Sequence, residues 1–150
     1  MPFTTVDKIR DECGFGENTN IEDSVFESYQ TEANAQIVSI VASRYALPSV
    51  SALWDSDPGK ITLGLIEKLL TAGMMLNKEF PWDETEEESD GNTKIERAEN
   101  MLKQIADWSL RLLFADGSEV SPLPTGGTGA ESKLVGTNFD CKDFKESPEW

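Results

Sequence analysis

Apolar residues recur along much of the chain at steps of three and four positions, the spacing that places them on one face of an α-helix. One such stretch predicts a long helix from about Ile21 to Tyr45. Another, from Lys60 to about Phe80, is apolar on so many sides that we expect it to be central. The pattern predicts four helices in all: Thr5–Cys13, Ile21–Tyr45, Lys60–Phe80, and one that follows Thr93 and ends before Asp116-Gly117.

Capping and helix-breaking residues mark the expected ends of these helices. Thr4 and Asn20 are suited to accept hydrogen bonds from the first free amides of the first and second helices. Gly14 is placed to end the first helix, and Pro48 disfavours helical geometry at the residue before it. The turn-forming residues at 49–59 then predict a connection without a helix.

The same periodicity predicts which side chains form the core. In the third helix, a single stripe contains Ile61, Leu65, Leu69, Ala72, Leu76 and Phe80. Gly64 and Gly73 each lower helix propensity by about 1 kcal/mol relative to Ala, but small residues allow another helix to approach closely. We expect the second, third and fourth helices to bury six residues: Ile37, Val41, Leu65, Leu69, Leu102 and Ile105.

The last part of the chain has no helical period of useful length. Residues 118–150 are rich in Gly, Pro, Ser and Thr, and 122–129 has the composition of a flexible linker. The apolar residues beyond it lack a core of their own, which is typical of a segment that orders on a partner: Leu134, Val135, Phe139, Phe144 and Trp150. We therefore predict an all-α fold, with a bundle of about four helices over 1–117 that carries an acidic loop at 83–90, and an extended interaction arm at 118–150.

Charge and missing residue types exclude several classes of function. Thirteen Lys and Arg against 28 Asp and Glu give a formal charge of −15, which repels DNA and anionic membranes. No apolar run approaches the roughly 20 residues that span a bilayer. The chain has no His, the most common general base, and its two cysteines, Cys13 and Cys141, are expected to be free thiols. We expect no enzyme, no cofactor and no metal site.

The acidic residues leave two other hypotheses open. One is an acidic DNA mimic that inhibits a nucleic-acid enzyme, although many carboxylates are concentrated at 83–90 rather than spaced like phosphates. The other is an enzyme that uses Asp55 and Asp57, which only their spacing suggests. Calcium binding at 83–90 is disfavoured, because the register that places Gly91 at the glycine of an EF-hand loop puts Arg97 where that loop needs Glu.

The end of the second predicted helix has the sequence Arg44-Tyr45-Ala46-Leu47-Pro48. Together with the segment 33–48 that contains it and the apolar helix after the connection, it resembles the head-tail connector proteins of tailed bacteriophages, also called adaptor or head-completion proteins. In that family a long helix ends in a similar Arg-Tyr-x-Leu-Pro stretch, and a helical core carries an extended C-terminal arm. The resemblance covers residues 1 to about 116. The acidic loop within that range and the long tail after it both depart from the shared pattern.

The resemblance implies a structural subunit of the phage neck. Such subunits form a ring, commonly of about twelve copies, that docks beneath the portal protein, meets a tail or stopper protein, and surrounds the channel through which DNA is ejected. The family-like residues here are Arg44, Tyr45, Leu47 and Pro48. The resemblance also implies a location in the virion. Residues 1–5 lack the basic start and apolar stretch of a secretory signal, so we expect synthesis in the host cytoplasm.

Overall fold

The computed structural model describes residues 1–16, 20–80 and 90–123. These ranges contain helices and two isolated β-bridges but no strand, so the predicted all-α fold is confirmed. The helices are α1 (Val6–Glu12), α2 (Asp23–Ala42), α3 (Leu47–Ser51), α4 (Pro58–Glu79) and α5 (Asp90–Ala106). There are five rather than about four because the short α3 lies where a connection was predicted.

Helix α4 is the centre of the bundle and packs against α1, α2 and α5. At Gly73 its backbone comes so close to α5 that a Cβ would lie 2.6 Å from the carbonyl oxygen of Gly91. Only glycine permits this approach, which confirms the expected role of Gly73. Gly64 differs, because a Cβ there would lie 2.9 Å from the carbonyl oxygen of Phe3. It therefore admits the N-terminal segment and not a second helix.

Five of the six predicted core residues are buried, and the sixth reveals an error in the predicted face of α4. The five buried residues are Ile37, Val41, Leu69, Leu102 and Ile105. Leu65 is only partly buried, and Ile61 from the same predicted stripe is 60% exposed. The buried face runs instead through Leu63, Ile66 and Leu70. So many positions of α4 are apolar that several stripes fit the sequence about equally well.

The predicted helix caps are wrong. Helices α1 and α2 begin after Thr5 and Glu22, and neither residue makes a side-chain capping hydrogen bond. Thr4 and Asn20 therefore lie outside the cap positions. Gly14, in contrast, follows α1 with a φ of 79°, the left-handed conformation that commonly ends a helix.

The end of α2 and the role of Pro48 also differ from the prediction. Helix α2 ends at Ala42, and the amides of Arg44 and Tyr45 both donate to the carbonyl oxygen of Val41. Pro48 lies in the first turn of α3. A proline there removes no helical hydrogen bond and already has a helical φ. We predicted a connection without a helix after Pro48, whereas Pro48 lies in the first turn of α3.

Helix α5 begins and ends earlier than predicted. It starts at Asp90, which was assigned to the acidic loop, and ends at Ala106. Trp108 then has a φ of 66°, and residues 107–123 cross the bundle in irregular backbone. Leu112 lies in this segment and is fully buried. The apolar spacing therefore predicted its burial correctly, although not its helical conformation.

The first residues of the predicted arm lie against the body. Val120 is fully buried, and its amide donates to the carbonyl oxygen of Leu112 at 2.9 Å. The amide of Ala46 donates to Ser121, and that of Leu123 donates to Arg44. Residues 118–123 are thus part of the folded body, beyond the predicted boundary at 117.

Two parts of the predicted organisation lie outside the described residues. They are 81–89, which hold most of the acidic loop, and 124–150, which hold the rest of the arm. No helix in the described ranges combines the length and the apolar content that a membrane crossing requires.

The corrected face of α4 leads to a stability prediction. Leu69→Ala should lower the free energy of unfolding by about 2 to 5 kcal/mol, because Leu69 is buried in the main core. Ile61→Ala on the same helix is the control and should change it by less than about 0.5 kcal/mol. Urea unfolding followed by circular dichroism measures both values. Equal losses in the two variants would contradict the described face.

Candidate functional site

Tyr45 of the family-like motif is an internal anchor. Its side chain is fully buried, and its hydroxyl oxygen accepts a hydrogen bond from the amide of Leu112 at 3.2 Å. The hydroxyl donates to the Glu119 carboxylate at 3.4 Å. Burial raises the pKa of Tyr45 above its ordinary value, so the phenol keeps the proton that it donates. Tyr45 therefore fastens the irregular segment 107–123 to the end of α2.

Arg44 and Tyr45 together hold Trp108 in its left-handed conformation. The Arg44 guanidinium lies over the indole, 5.6 Å from the ring centroid. The Tyr45 ring meets the same indole edge-on at 5.3 Å. A positive φ is costly for a bulky residue, so these contacts offset local backbone strain. The first half of the motif is thus structural.

The second half of the motif lies on the surface. Leu47 is 40% exposed and Pro48 is exposed at the start of α3. Leu123, also 40% exposed, is nearby in the fold, because its amide is hydrogen-bonded to Arg44 three residues before Leu47. Of the four motif residues, Leu47 and Pro48 are exposed, Arg44 is partly exposed and Tyr45 is buried.

Asp57 is a structural carboxylate, and it does not form a pair with Asp55. Asp57 is buried, with one oxygen accepting from the amide of Trp54 at 2.6 Å and the other from Ala115 at 2.8 Å. Both of its oxygens are thus used to join the start of α4 to the irregular segment. Asp55 is exposed. The two residues suggested by the enzyme hypothesis therefore occupy different environments.

Two large apolar side chains are strongly exposed beside Asp57. Trp54 is 77% exposed and Ile61 is 60% exposed. Both backbones are tied to Asp57, because the amide of Trp54 donates to its side chain and the amide of Ile61 to its carbonyl oxygen. Large apolar side chains that remain strongly exposed are a feature of protein interfaces. Sequence reasoning missed this surface because it assigned Ile61 to the core.

A groove of about 550 Å³ lies between the N-terminal segment and the first half of α4. We call it the lysine groove, because Lys8, Lys60 and Lys68 line it. Its remaining lining is mainly apolar or small, with one carboxylate: Pro2, Phe3, Thr4, Thr5, Asp55, Ile61, Gly64 and Leu65. Three ammonium groups in one groove stand out in a chain with a net charge of −15.

One wall of the groove is fixed by the buried carboxylate of Glu67. One of its oxygens accepts hydrogen bonds from the amides of Phe3 and Thr4, each at 2.7 Å. The same oxygen accepts from the Gln30 amide group at 3.3 Å, and the other accepts from Asn34 at 2.8 Å. These four donors, together with the space at Gly64, hold the N-terminal segment against α4.

A charged cluster supports the same region from α1 and α5. Glu12 lies 2.9 Å from Lys68 and 2.8 Å from Lys94. Partial burial raises the pKa of Glu12, but hydrogen bonds and charges from Lys94 and Lys68 outweigh it and lower the pKa below 4.5. Nearby Cys13 is a free thiol whose pKa is raised to about 11 by burial, so it is protonated and weakly nucleophilic at neutral pH.

The remaining predicted site residues are not in the described part of the chain. The interface residues Leu134, Val135, Phe139, Phe144 and Trp150 all lie within 124–150. Across 1–16, 20–80 and 90–123, no three Cys, Asp or Glu side chains converge in a way that could hold a metal ion.

Comparison of the chain with protein-family models, with curated proteins and with solved structures found no match.

The four donors around Glu67 predict a large effect of removing its charge. Glu67→Gln should lower the free energy of unfolding by at least about 1.5 kcal/mol, because one acceptor oxygen is replaced by an NH₂ group that faces other donors. Exposed Glu99→Gln on α5 is the control and should have little effect. Chemical unfolding measures both variants. A loss in Glu67→Gln no greater than in the control would show that the carboxylate does not fix the N-terminal segment.

The lowered pKa of Glu12 predicts a specific pH dependence. A carboxyl with a depressed pKa in the folded state contributes stability above its unfolded pKa, here 4.5, and loses it as the pH falls through the folded pKa. Wild type should therefore be more stable than Glu12→Gln at neutral pH, and this difference should shrink below about pH 4.5. Urea unfolding of both proteins across pH 3 to 7 measures it. A difference that is constant over this range would contradict the cluster.

Proposed function

We propose that this protein is a structural subunit of a bacteriophage neck, which forms an oligomeric ring between the portal protein and the tail and surrounds the path of the ejected DNA. The observation that carries the proposal is the strong exposure of two large apolar side chains, Trp54 and Ile61, on a helical body. The resemblance through Arg44–Pro48 names the class of partner. A catalytic role has no comparable support in the described residues.

The fold suits a subunit that must present a fixed surface to its neighbours. Trp54 belongs to a turn whose amide is held by Asp57, and Asp57 is tied to Ala115 by its other oxygen. The exposed indole of Trp54 thus projects from backbone that the hydrogen bonds of Asp57 already order. A pre-ordered anchor loses little conformational entropy on binding, which favours tight assembly.

The charge of the chain suits a wall around DNA. At −15, the protein repels the phosphate backbone and so avoids holding the DNA that must pass. The same charge motivates the alternative of an acidic DNA mimic, which would act as a monomer on a nucleic-acid enzyme. The two functions differ in one measurable property, because only the first requires assembly of many copies.

Assembly of the ring can be tested through Trp54. Trp54→Ala should change the free energy of unfolding by less than about 0.5 kcal/mol, because the side chain is mostly exposed. It should nevertheless weaken ring formation or portal binding at least about tenfold, as expected of a central Trp at an interface. Mass measurement of the chain, alone and with candidate portal and tail proteins, reports the assembly. Gln36→Ala, exposed on α2, is the control.

The contribution of the arm can be tested separately. Truncation after Leu123 should leave the body folded but weaken assembly, because it removes Phe139, Phe144 and Trp150 together with the other predicted anchors. The cut is placed after Leu123 because a cut after Gly117 also removes the buried Val120. Circular dichroism and mass measurement give the two readouts. Undiminished assembly of the truncated chain would show that the arm is not an interface.

A further inference from the structure

We propose that Trp54 of one subunit inserts into a cleft of a second copy of this chain, at the other end of its central helix. This cleft, which we call the α2–α4 cleft, lies between the start of α2 and the end of α4, and it is lined by Ile21, Glu22, Val25, Met75, Glu79 and Phe80. The inference rests on the proposed function, because it supplies the contact between neighbouring subunits of the ring. Both surfaces are formed by residues in the described ranges.

The α2–α4 cleft is a preformed cavity of about 280 Å³. Its residue Met75 is buried in a cluster with Ile9 and Phe26, and Phe80 packs against this cluster. The Phe80 ring is also in contact with Phe15, at 5.2 Å between the ring centroids. Sites for drug-sized ligands have volumes of roughly 300 to 1,000 Å³, so a cavity just below this range suits one large side chain.

A subunit cannot place Trp54 in its own cleft. Trp54 lies just before α4, and its amide is bound to Asp57 at the start of that helix. Glu79 and Phe80 are at the other end, about 30 Å away along an axis that rises 1.5 Å per residue. Because one continuous helix separates the two surfaces, only a second molecule can bring them together.

The indole and the cleft have complementary chemistry. Trp54 is 77% exposed on a turn that Asp57 orders, and its indole combines a large apolar ring with one N–H donor. The cleft has apolar walls and the exposed carboxylates of Glu22 and Glu79, which can accept a hydrogen bond. The Tyr29 hydroxyl donates to Glu79 at 2.6 Å and so holds that carboxylate in place. In the cleft, Trp54 can bury its ring and keep a partner for its N–H.

The charges beside the two surfaces favour the same pairing. The lysine groove lies beside Trp54, because the next residue, Asp55, lines it. Its lining contains three lysines and this one carboxylate, although Lys68 is already paired within the subunit. The described residues that line the α2–α4 cleft include two carboxylates and no Lys or Arg. A head-to-tail contact therefore brings Lys8 and Lys60 toward carboxylates, whereas a head-to-head contact would bring lysines toward lysines.

A contact of this kind joins two different surfaces and is therefore heterologous. After the first contact, the pair of subunits still has one free indole and one free cleft. Further copies can add until the ring closes. A contact between two Trp54 surfaces would instead stop at a dimer.

A mixture of two blocked variants tests the contact. Trp54→Ala removes the indole, and Val25→Trp fills the cleft with a side chain of its own. We expect each variant alone to self-associate at least about tenfold more weakly than wild type in sedimentation velocity. The equimolar mixture should form a one-to-one dimer and nothing larger, because one variant retains the cleft and the other retains the indole.

A second variant of the cleft is needed because Val25 is partly buried and Val25→Trp could alter folding, which circular dichroism checks. Glu22→Gln with Glu79→Gln removes both carboxylates at exposed positions. It makes the chain less negative and so reduces general repulsion between copies, yet it should weaken self-association. Glu96→Gln with Glu99→Gln, both exposed on α5, removes the same charge and should cause no weakening.

Several results would overturn the inference. They are a wild-type chain that remains monomeric, a mixture of the blocked variants that forms no dimer, and undiminished self-association of the carboxylate variant. Loss of assembly in Trp54→Ala but not in Val25→Trp would also overturn it, since Trp54 would then contact a different surface.

Ring formation separates this inference from the proposed function. Rings that form equally well from Val25→Trp, alone or with portal protein, would refute the cleft contact and leave the neck function standing. Blocked variants that form the expected dimer, together with a wild-type chain that never forms a closed ring or binds portal protein, would refute the neck function instead.

Discussion

The fully buried carboxylate of Glu67 is the constraint on which much of the structure depends. It lies in the middle of the most apolar helix, where an uncompensated charge is unstable. Four donors from α2 and the N-terminal backbone satisfy it. These hydrogen bonds fix Phe3 and Thr4, which belong to an N-terminal segment without a periodic apolar face. A single polar side chain thereby orders one wall of the lysine groove and positions Phe3 beside Lys60.

Tyr45 plays a corresponding role for the irregular segment 107–123. Residues 107–123 form no helix, and yet Leu112 and Val120 are fully buried in the core. Their irregular backbone needs hydrogen bonds that a helix would otherwise provide. Tyr45 supplies one to Leu112 and binds Glu119, while neighbouring backbone groups pair with Ser121 and Leu123. The Arg-Tyr-x-Leu-Pro stretch thus has a structural reason to occur at the end of a long helix.

The sequence predicted the helical class, the central helix and most of the core, because apolar periodicity reports burial directly. It did not predict which face of α4 is buried, since the choice among nearly equivalent apolar stripes is made by the helices that pack on it. Helix ends were less predictable still. The conformation of Trp108 follows from contacts with Arg44 and Tyr45, more than 60 positions earlier in the chain, and no local signal contains that information.

The candidate surface was missed for the same reason. Trp54 and Ile61 are apolar in sequence, and composition alone assigns such residues to a core. They are exposed because Asp57 holds the turn between α3 and α4 by its own hydrogen bonds, so the turn needs no apolar burial of Trp54 to remain ordered. Lys60 differs, because most of its side chain is buried beside Phe3 while its ammonium reaches the solvent of the lysine groove.

Trp54 and Ile61 lie within one stretch of chain, residues 54–61, at the start of the central helix. Large apolar side chains that remain in water gain the free energy of burial only when a partner covers them. Their exposure therefore supports the proposed assembly. It also makes this end of α4 the first place to seek the contact between subunits.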